Sequence, residues 1–191
     1  AIARTELHLG HELGADQAAA VRAITTSGHR YQAVQGLAGA GKTTAMSAAV
    51  DAWQSQGFRV IGLAPFGTAA RKLGQETGID TRTVESFITM VERSGDPART
   101  ISPNTVILID EASTISNRQL DRLYRITESA GANLRAVGDP QQHRSVEAGG
   151  LWNALVAVHH DTTPVMDVNR RQDPELLATV RAALNHYRAG R

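Results

Sequence analysis

The segment Gly36–Thr43 constrains the fold more than any other, because it matches the pattern G-x-x-x-x-G-K-[ST] at every position. It follows a short β-prone segment, Tyr31–Gln35, and opens an Ala-rich segment of good helix formers, Lys42–Gln56. Its glycines let the backbone curl so that successive N–H groups point inward. This nest, together with the helix N-terminus, binds phosphate. The chain is therefore predicted to fold around a strand–loop–helix unit.

The loop predicts a nucleotide site. Lys42 adds a positive charge toward the β- and γ-phosphates, and the Thr43 hydroxyl is placed to ligate Mg²⁺. The chain has only two lysines against 18 arginines, and one of the two stands where the motif needs it. The alternative is a glycine-rich turn with a solvated lysine. The predicted nucleotide-binding residues of the loop are Gly36, Gly39, Ala40, Gly41, Lys42, Thr43 and Thr44.

Strand-like and helix-like segments alternate along the chain. The predicted strands are Tyr31–Gln35, Arg59–Leu63, Thr105–Ile109, Asn133–Val137 and Pro164–Val168. The predicted helices are Lys42–Gln56, Thr68–Thr77, Val84–Arg93, Asn117–Ala130, Gly150–Val158 and Pro174–Ala189. Apolar strands alternating with helices are typical of βαβ units. We expect an α/β domain with a largely parallel five-stranded sheet and helices on both faces.

Two acids, Asp110 and Glu111, follow the strongest strand signal, Thr105–Ile109. A parallel strand that adjoins the phosphate loop delivers its carboxyl end to the same crevice. Asp110 is predicted to hold Mg²⁺ through water, and Glu111 to orient and deprotonate an attacking water. The alternative is a pair of carboxylates that caps the following turn.

Three further polar residues are weaker candidates. Gln142 follows the strand Asn133–Val137 and could sense a γ-phosphate through the attacking water. Arg171, one of two adjacent arginines after the last strand, suits a phosphate fork. Gln17 offers a donor and an acceptor that match the edge of adenine. On local sequence alone, an Asp-Pro turn, a solvated turn and a surface glutamine explain these residues at least as well.

Taken together, these segments resemble the first of the two RecA-like motor domains of superfamily 1 DNA helicases. The matching segments are Gln17 (Q motif), Gly36–Thr43 (motif I), Asp110–Glu111 (motif II), Gly138–Gln142 (motif III) and Asn169–Gln172 (motif IV). The resemblance implies a RecA-like P-loop fold with ATP and Mg²⁺ as cofactors. It also implies catalytic roles for Lys42, Glu111, Gln142 and Arg171, and nucleotide contact by Gln17.

Two more segments are similar to DNA-contacting motifs of that family, Leu63–Arg71 to motif Ia and Thr81–Val84 to motif Ic. They imply contacts to single-stranded DNA from Pro65, Thr68, Arg71, Lys72 and Thr83. Within the superfamily, Gly138–Gly150 and Gly57–Phe87 are most similar to the RecD/TraI branch, and to conjugative relaxase–helicases of the MobF (TraI/TrwC) type. This likeness implies 5′-to-3′ movement, and a relaxase domain and conjugation machinery as partners.

The resemblance also implies a domain organisation. Residues 1–30 form a helical lead-in with the Q motif, residues 31–172 the motor domain, and residues 173–191 a helix leading to a second motor domain. We expect that second domain in a longer parent chain, as the absence of an initial Met suggests. The isolated chain should bind nucleotide but hydrolyse it slowly, since loss of an arginine finger costs about 10³–10⁵ in rate.

The composition excludes other classes of protein. The absence of cysteine rules out a disulfide scaffold, a thiolate zinc site and a cysteine nucleophile. A net charge of +1 is not that of a generally basic nucleic-acid coat, so any DNA contact is a local patch. No apolar run approaches the roughly 20 residues that span a bilayer. Together with the resemblance, this predicts a protein of the bacterial cytoplasm.

Two other functions stay open. Some conjugative relaxases carry a second helicase domain that has lost its ATPase motifs and only binds single-stranded DNA, but motifs I and II are intact here. A small-molecule kinase with the same phosphate loop would be expected to have an Arg-rich lid and an acceptor pocket, and the sequence indicates neither.

Overall fold

The computed structural model describes residues 2–9, 12–37, 39–139 and 150–168. These residues form the strands β1 Tyr31–Gly36, β2 Arg59–Ala64, β3 Asp80–Thr83, β4 Thr105–Ile109, β5 Asn133–Gly138 and β6 Val165–Met166. Their α-helices are α1 Ile2–Leu9, α2 Ala15–Thr26, α3 Lys42–Ser55, α4 Gly67–Thr77, α5 Val84–Ser94, α6 Asn117–Ala130 and α7 Leu151–Val158. Short 3₁₀ helices occur at Pro97–Arg99, Ala112–Thr114 and His160–Thr162. Among these described helices, none has the length and apolarity to cross a membrane.

All of these strands run parallel in one sheet, in the order β3-β2-β4-β5-β1-β6. In the centre, Ile107 of β4 pairs with Ile61 of β2 on one side and with Leu134 of β5 on the other. Every residue of β4 is buried, as expected for a strand covered by helices on both faces. The predicted α/β class and parallel sheet are confirmed.

The sheet has one strand more than predicted, the edge strand β3. Its sequence, Asp-Thr-Arg-Thr, contains no apolar residue, so no hydrophobic pattern could indicate a strand. Backbone pairing along β2, from Ile61 with Asp80 to Ala64 with Thr83, defines the strand instead. Thr81 packs close to two glycines, and a Cβ at Gly74 would lie only 2.7 Å from its Oγ1.

Each face of the sheet carries its own apolar core. The core under α5, α6 and α7 includes Phe87, Ile88, Leu123 and Trp152. The core under α2, α3 and α4 includes Ile24, Met46, Trp53 and Leu73. The predicted helices on both faces are therefore confirmed. The predicted domain boundaries at residues 30 and 172 stay predictions, and the predicted helix Pro174–Ala189 lies outside the described residues.

Because the strands are parallel, their carboxyl ends meet at one edge of the sheet. The strand that precedes the acidic pair, β4, is not the neighbour of the phosphate-loop strand β1, since β5 lies between them. Neighbouring strands are about 4.8 Å apart, so the ends of β1 and β4 are separated by roughly 10 Å. The loops that follow β1 and β4 consequently face each other across the end of β5.

Candidate nucleotide-binding site and nucleic-acid interface

The phosphate loop has the predicted strand–loop–helix form. β1 ends at Gly36, and α3 begins at Lys42 with Gly41 as its N-cap residue. Gly41 has φ 76° and ψ 36°, a left-handed conformation that a side chain would disfavour. Within the loop, the Ala40 N–H donates to the Leu37 carbonyl at 3.1 Å. This bond closes a tight turn at the helix N-terminus, a position suited to an anion.

The other predicted residues of the loop lie around this turn. Ala40 is fully buried, whereas Gly39 is half-buried and has φ 83°. Thr43 and Thr44 stand in the first turn of α3 and are also half-buried. Their hydroxyls therefore lie at the N-terminal end of α3, next to the phosphate loop.

Lys42 folds back across the loop. Its Nζ donates to the Gly36 carbonyl at 2.7 Å. This course of the Lys42 side chain requires glycine at position 36, since a Cβ there would lie 2.6 Å from Cγ of Lys42. The ammonium group is thus held at the loop while its side chain remains 15% exposed.

The lysine also lies close to an acid, Asp139, for which the sequence predicted no role. Asp139 follows β5 directly, is 2% exposed, and places its Oδ2 3.9 Å from Nζ of Lys42. The signal available in the sequence was a charged residue directly after a buried apolar strand. Strand order made it significant, because β5 is the neighbour of β1.

Asp110 lies directly after β4, and its N–H donates to the Leu63 carbonyl at 2.9 Å. Burial raises the pKa of Asp110 above its usual range, while the Glu111 N–H and the positive charge of Lys42 act against that rise. The Glu111 N–H donates to Oδ1 of Asp110 at 2.8 Å. A buried carboxylate with a raised pKa gains most from a nearby cation, so Asp110 is chemically suited to a divalent metal.

Glu111 has an unusual backbone. With φ 54° and ψ 37°, it is the only non-glycine residue with positive φ in the part of the chain that the structure describes. Such a conformation costs on the order of 1–3 kcal/mol and clusters at functional sites. Thr114 bonds back to the Glu111 carbonyl through both its N–H, at 3.0 Å, and its hydroxyl, at 2.8 Å. The turn after β4 therefore holds Glu111 in this strained form.

Gln17 is not the surface glutamine that its local sequence favoured. It is 3% exposed in the first turn of α2. Its Oε1 accepts from the Gly14 N–H at 2.9 Å, and its Nε2 donates to the Gly41 carbonyl at 3.0 Å. A side-chain amide has two N–H hydrogens and two oxygen lone pairs. These two bonds use one of each, so Gln17 keeps one further hydrogen to donate and one further lone pair to accept. The structure thus joins Gln17 directly to the phosphate loop.

Of the segment that resembles motif III, Gly138–Gln142, the structure describes the first two residues. Gly138 is packed so closely that a Cβ there would lie 2.8 Å from Cζ2 of Trp152 and 2.9 Å from the Ser113 nitrogen. This contact joins the end of β5 to the turn after Asp110 and Glu111. Gln142 and Arg171 lie outside the described residues.

The predicted DNA contacts lie together, at the carboxyl ends of β2 and β3. Pro65 follows β2, and α4 begins two residues later without a side-chain cap on its first N–H groups. Thr83 ends β3 opposite Ala64, and its Oγ1 accepts from the Ser86 N–H at 3.2 Å, which leaves its own proton to donate. Three side chains on α4 are exposed: Thr68, Arg71 and Lys72. The group lies at the same sheet edge as the phosphate loop, on the far side of β4.

Comparison with known proteins agrees with this arrangement. Residues 12–191 match the AAA domain family. The chain is 39% identical to the conjugal transfer protein TraA of Agrobacterium fabrum, over 75% of this chain and 13% of that protein. It is 31% identical to the multifunctional conjugation protein TraI of Escherichia coli K12, over 93% of this chain and 10% of that protein.

Two helicases are also similar. The ATP-dependent RecD2 DNA helicase of Deinococcus radiodurans is 32% identical over 64% of this chain and 17% of its own length. The crystal structure of the Pif1 helicase from Candida albicans has the same fold, with a TM-score of 0.53 and 22% identity over 70% of this chain and 34% of that one. The chain spans between 10% and 17% of these curated relatives. It belongs to the AAA domain family and is similar to superfamily 1 helicase domains of the RecD/TraI type and to part of the conjugal transfer proteins.

Proposed function

We propose that this domain binds ATP with Mg²⁺ and single-stranded DNA, and is the first of two motor domains of a 5′-to-3′ helicase in conjugative DNA transfer. One observation carries the proposal: side chains from three strand ends converge at one edge of the sheet. Lys42 after β1 lies 3.9 Å from Asp139 after β5, and its charge acts on Asp110 after β4. The similarity to conjugal transfer proteins and to a DNA helicase supports the DNA substrate and the conjugative setting.

The residues divide the proposed chemistry among them. The loop N–H groups and Lys42 hold the β- and γ-phosphates, and Thr43 and Asp110 hold the metal. When bound, Mg²⁺ neutralises phosphate charge. Glu111 orients the attacking water and takes its proton. Gln142 senses the γ-phosphate, and Arg171 contacts it.

The proposal extends to partners in a longer parent protein. A second RecA-like domain of the same parent chain closes over ATP and supplies a further arginine, so closure and release move the two domains along DNA. A relaxase domain and the conjugation machinery of the bacterial cytoplasm are the other proposed partners. For lack of that arginine, the 191-residue chain alone hydrolyses ATP slowly.

An ATPase assay with and without single-stranded DNA tests this function. In a chain extended through the second motor domain, we expect DNA to stimulate hydrolysis. DNA binding with no hydrolysis in that longer chain would instead identify a non-hydrolysing accessory domain. Phosphate transfer to a small acceptor would identify a kinase.

The salt dependence of DNA binding tests the predicted interface. Replacing Arg71 with alanine should weaken binding of single-stranded DNA and reduce the slope of log affinity against log salt by about 0.7, the value for one phosphate contact. The matched control is Arg125→Ala, since Arg125 is 75% exposed on α6 and pairs with Asp121 at 2.9 Å. An equal change of slope in both variants would argue against an interface on α4.

Nucleotide selectivity tests the position of Gln17. Gln17→Ala should lower the affinity for ATP by about tenfold and bring it close to that for GTP, because a lost amide pair leaves adenine unrecognised. Equilibrium titration with both nucleotides measures the ratio. Gln54→Ala, an exposed glutamine near the far end of α3, is the control. If the ratio of the affinities for ATP and GTP is the same in Gln17→Ala as in the parent, Gln17 does not recognise adenine.

A further inference from the structure

Phe66 is a large apolar side chain that the described residues leave uncovered. It follows Pro65 at the end of β2, is the N-cap residue of α4, and is 62% exposed. Its carbonyl accepts from the Ala70 N–H at 2.9 Å, so the backbone at this position is fixed by the helix. A single exposed apolar residue is common on protein surfaces, and its meaning depends on what surrounds it.

The surroundings of Phe66 favour an anion. On α4 and the two residues before it, the charged side chains are Arg71, Lys72 and Glu76, all exposed, and Lys72 pairs with Glu76 at 3.9 Å. The Arg71 guanidinium reaches back along the helix, with Nη1 3.8 Å from the Cβ position of Gly67. The first N–H groups of α4 have no side-chain cap and carry the positive end of the helix dipole. An aromatic face therefore stands directly beside groups that bind phosphate.

The acidic side chain in the first turn of α5 is engaged elsewhere. Glu85 in the first turn of α5 accepts from Arg122 at 3.3 Å and from Gln119 at 3.2 Å. Both partners lie on α6, which packs on the other face of the sheet from α4. This carboxylate is thus paired by α6. Two further acids lie near the end of β2: Glu76, which pairs with Lys72 at 3.9 Å, and Asp110, whose N–H donates to the Leu63 carbonyl. The phosphate contact therefore depends on Arg71 and the N-terminus of α4.

We propose that Phe66 stacks on an unpaired base of single-stranded DNA whose phosphate lies at the N-terminus of α4 and Arg71. The proposal rests on the proposed function and adds a base contact to an interface otherwise made to the backbone. Every base has a π-face, so such a contact tolerates any sequence. It also selects single strands, because both faces of a base inside a duplex are already stacked. A protein partner fits less well, because an interface core requires a contiguous apolar patch, whereas Phe66 stands between the half-buried Pro65 and Gly67 and is followed by the exposed polar residues Thr68 and Arg71.

Binding of the 191-residue chain to two oligonucleotides tests this assignment. One is a thymidine oligomer, and the other has the same length and phosphates but lacks bases throughout. Phe66→Ala should weaken binding of the thymidine oligomer by about tenfold and leave binding of the abasic oligomer unchanged. Tyr124→Ala is the matched control, since Tyr124 is a 47% exposed aromatic on α6 and lines a cavity with Tyr31, which opens β1 at the opposite edge. Equal binding of the thymidine oligomer by Phe66→Ala and the parent overturns the stacking proposal alone, whereas binding of neither oligomer by the parent overturns the proposed DNA function as well.

A fluorescent variant gives a signal that a structural role would not produce. The two tryptophans of the chain, Trp53 and Trp152, are 4% and 3% exposed, so a tryptophan at position 66 would be the only one open to solvent among the described residues. Phe66→Trp should keep the parent's affinity for the thymidine oligomer, and its emission should be quenched on binding. The abasic oligomer should not quench it, and Tyr124→Trp should not respond to either. Equal quenching by both oligomers would overturn the stacking proposal.

Discussion

Lys42→Ala is expected to abolish nucleotide binding and to leave the fold intact. A hydrogen bond to a charged group contributes about 1.5–3 kcal/mol, and the proposed site has Lys42 contacting two phosphates, so affinity should fall by about 100-fold or more. The fold should persist because, within the described part of the chain, Nζ of Lys42 contacts the loop carbonyls of Gly36 and Leu37 and the Asp139 carboxylate, and none of the apolar core. Titration with ATP and Mg²⁺, together with a thermal melt, measures both parts.

The chain carries its own control for this experiment. Lys72, the only other lysine, lies on α4 and pairs with Glu76 at 3.9 Å on the helix surface. Lys72→Ala makes the same chemical change and should leave ATP affinity unaltered. If Lys42→Ala retains the parent's affinity for ATP, the phosphate-loop assignment is wrong.

Glu111→Gln is expected to stop hydrolysis while ATP still binds. A positioned general base contributes about 10²–10⁴ in rate, and the amide cannot take a proton from water. The substitution preserves the shape of the side chain, and glutamine adopts the left-handed backbone conformation at a cost similar to that of glutamate. The strained turn should therefore form as before. Single-turnover hydrolysis with protein in excess detects the slow reaction of the 191-residue chain.

Two comparisons make the Glu111 result specific. Glu128→Gln removes an exposed acid from α6 and should hydrolyse ATP at the parent's rate. ATP affinity of Glu111→Gln, measured separately, should equal that of the parent. A hydrolysis rate within about threefold of the parent would exclude Glu111 as the general base, given the effect expected of one.

The elements with strong local signals matched the structure closely. The strand Thr105–Ile109 and the helix Asn117–Ala130 were predicted with the bounds that the structure has. Both patterns are unambiguous, the first an unbroken apolar run and the second an amphipathic period between a serine cap and a glycine. The phosphate loop could also be predicted from the sequence, because the residues that form it are consecutive in the chain.

Features that depend on contacts between distant segments were not readable. β3 is a strand only because β2 offers its edge to Asp80–Thr83. Gln17 is buried because α2 packs beside the loop and brings its amide to the Gly41 carbonyl, 24 positions further along the chain. No local sequence pattern predicts the pairing of β3 or the burial of Gln17, because both depend on contacts with segments elsewhere in the chain.

Residue patterns along the chain were enough to predict an α/β fold with a phosphate loop, an acidic pair after a buried strand and helices that cover both faces of a parallel sheet. These properties follow from residue spacing and hydrophobic period along one segment at a time. The strand order, and with it which side chains meet, depends on packing between segments that are distant in the chain. Because β5 enters between β1 and β4, Lys42 faces Asp139, and the sheet edge carries Phe66 beside Arg71 on the far side of β4.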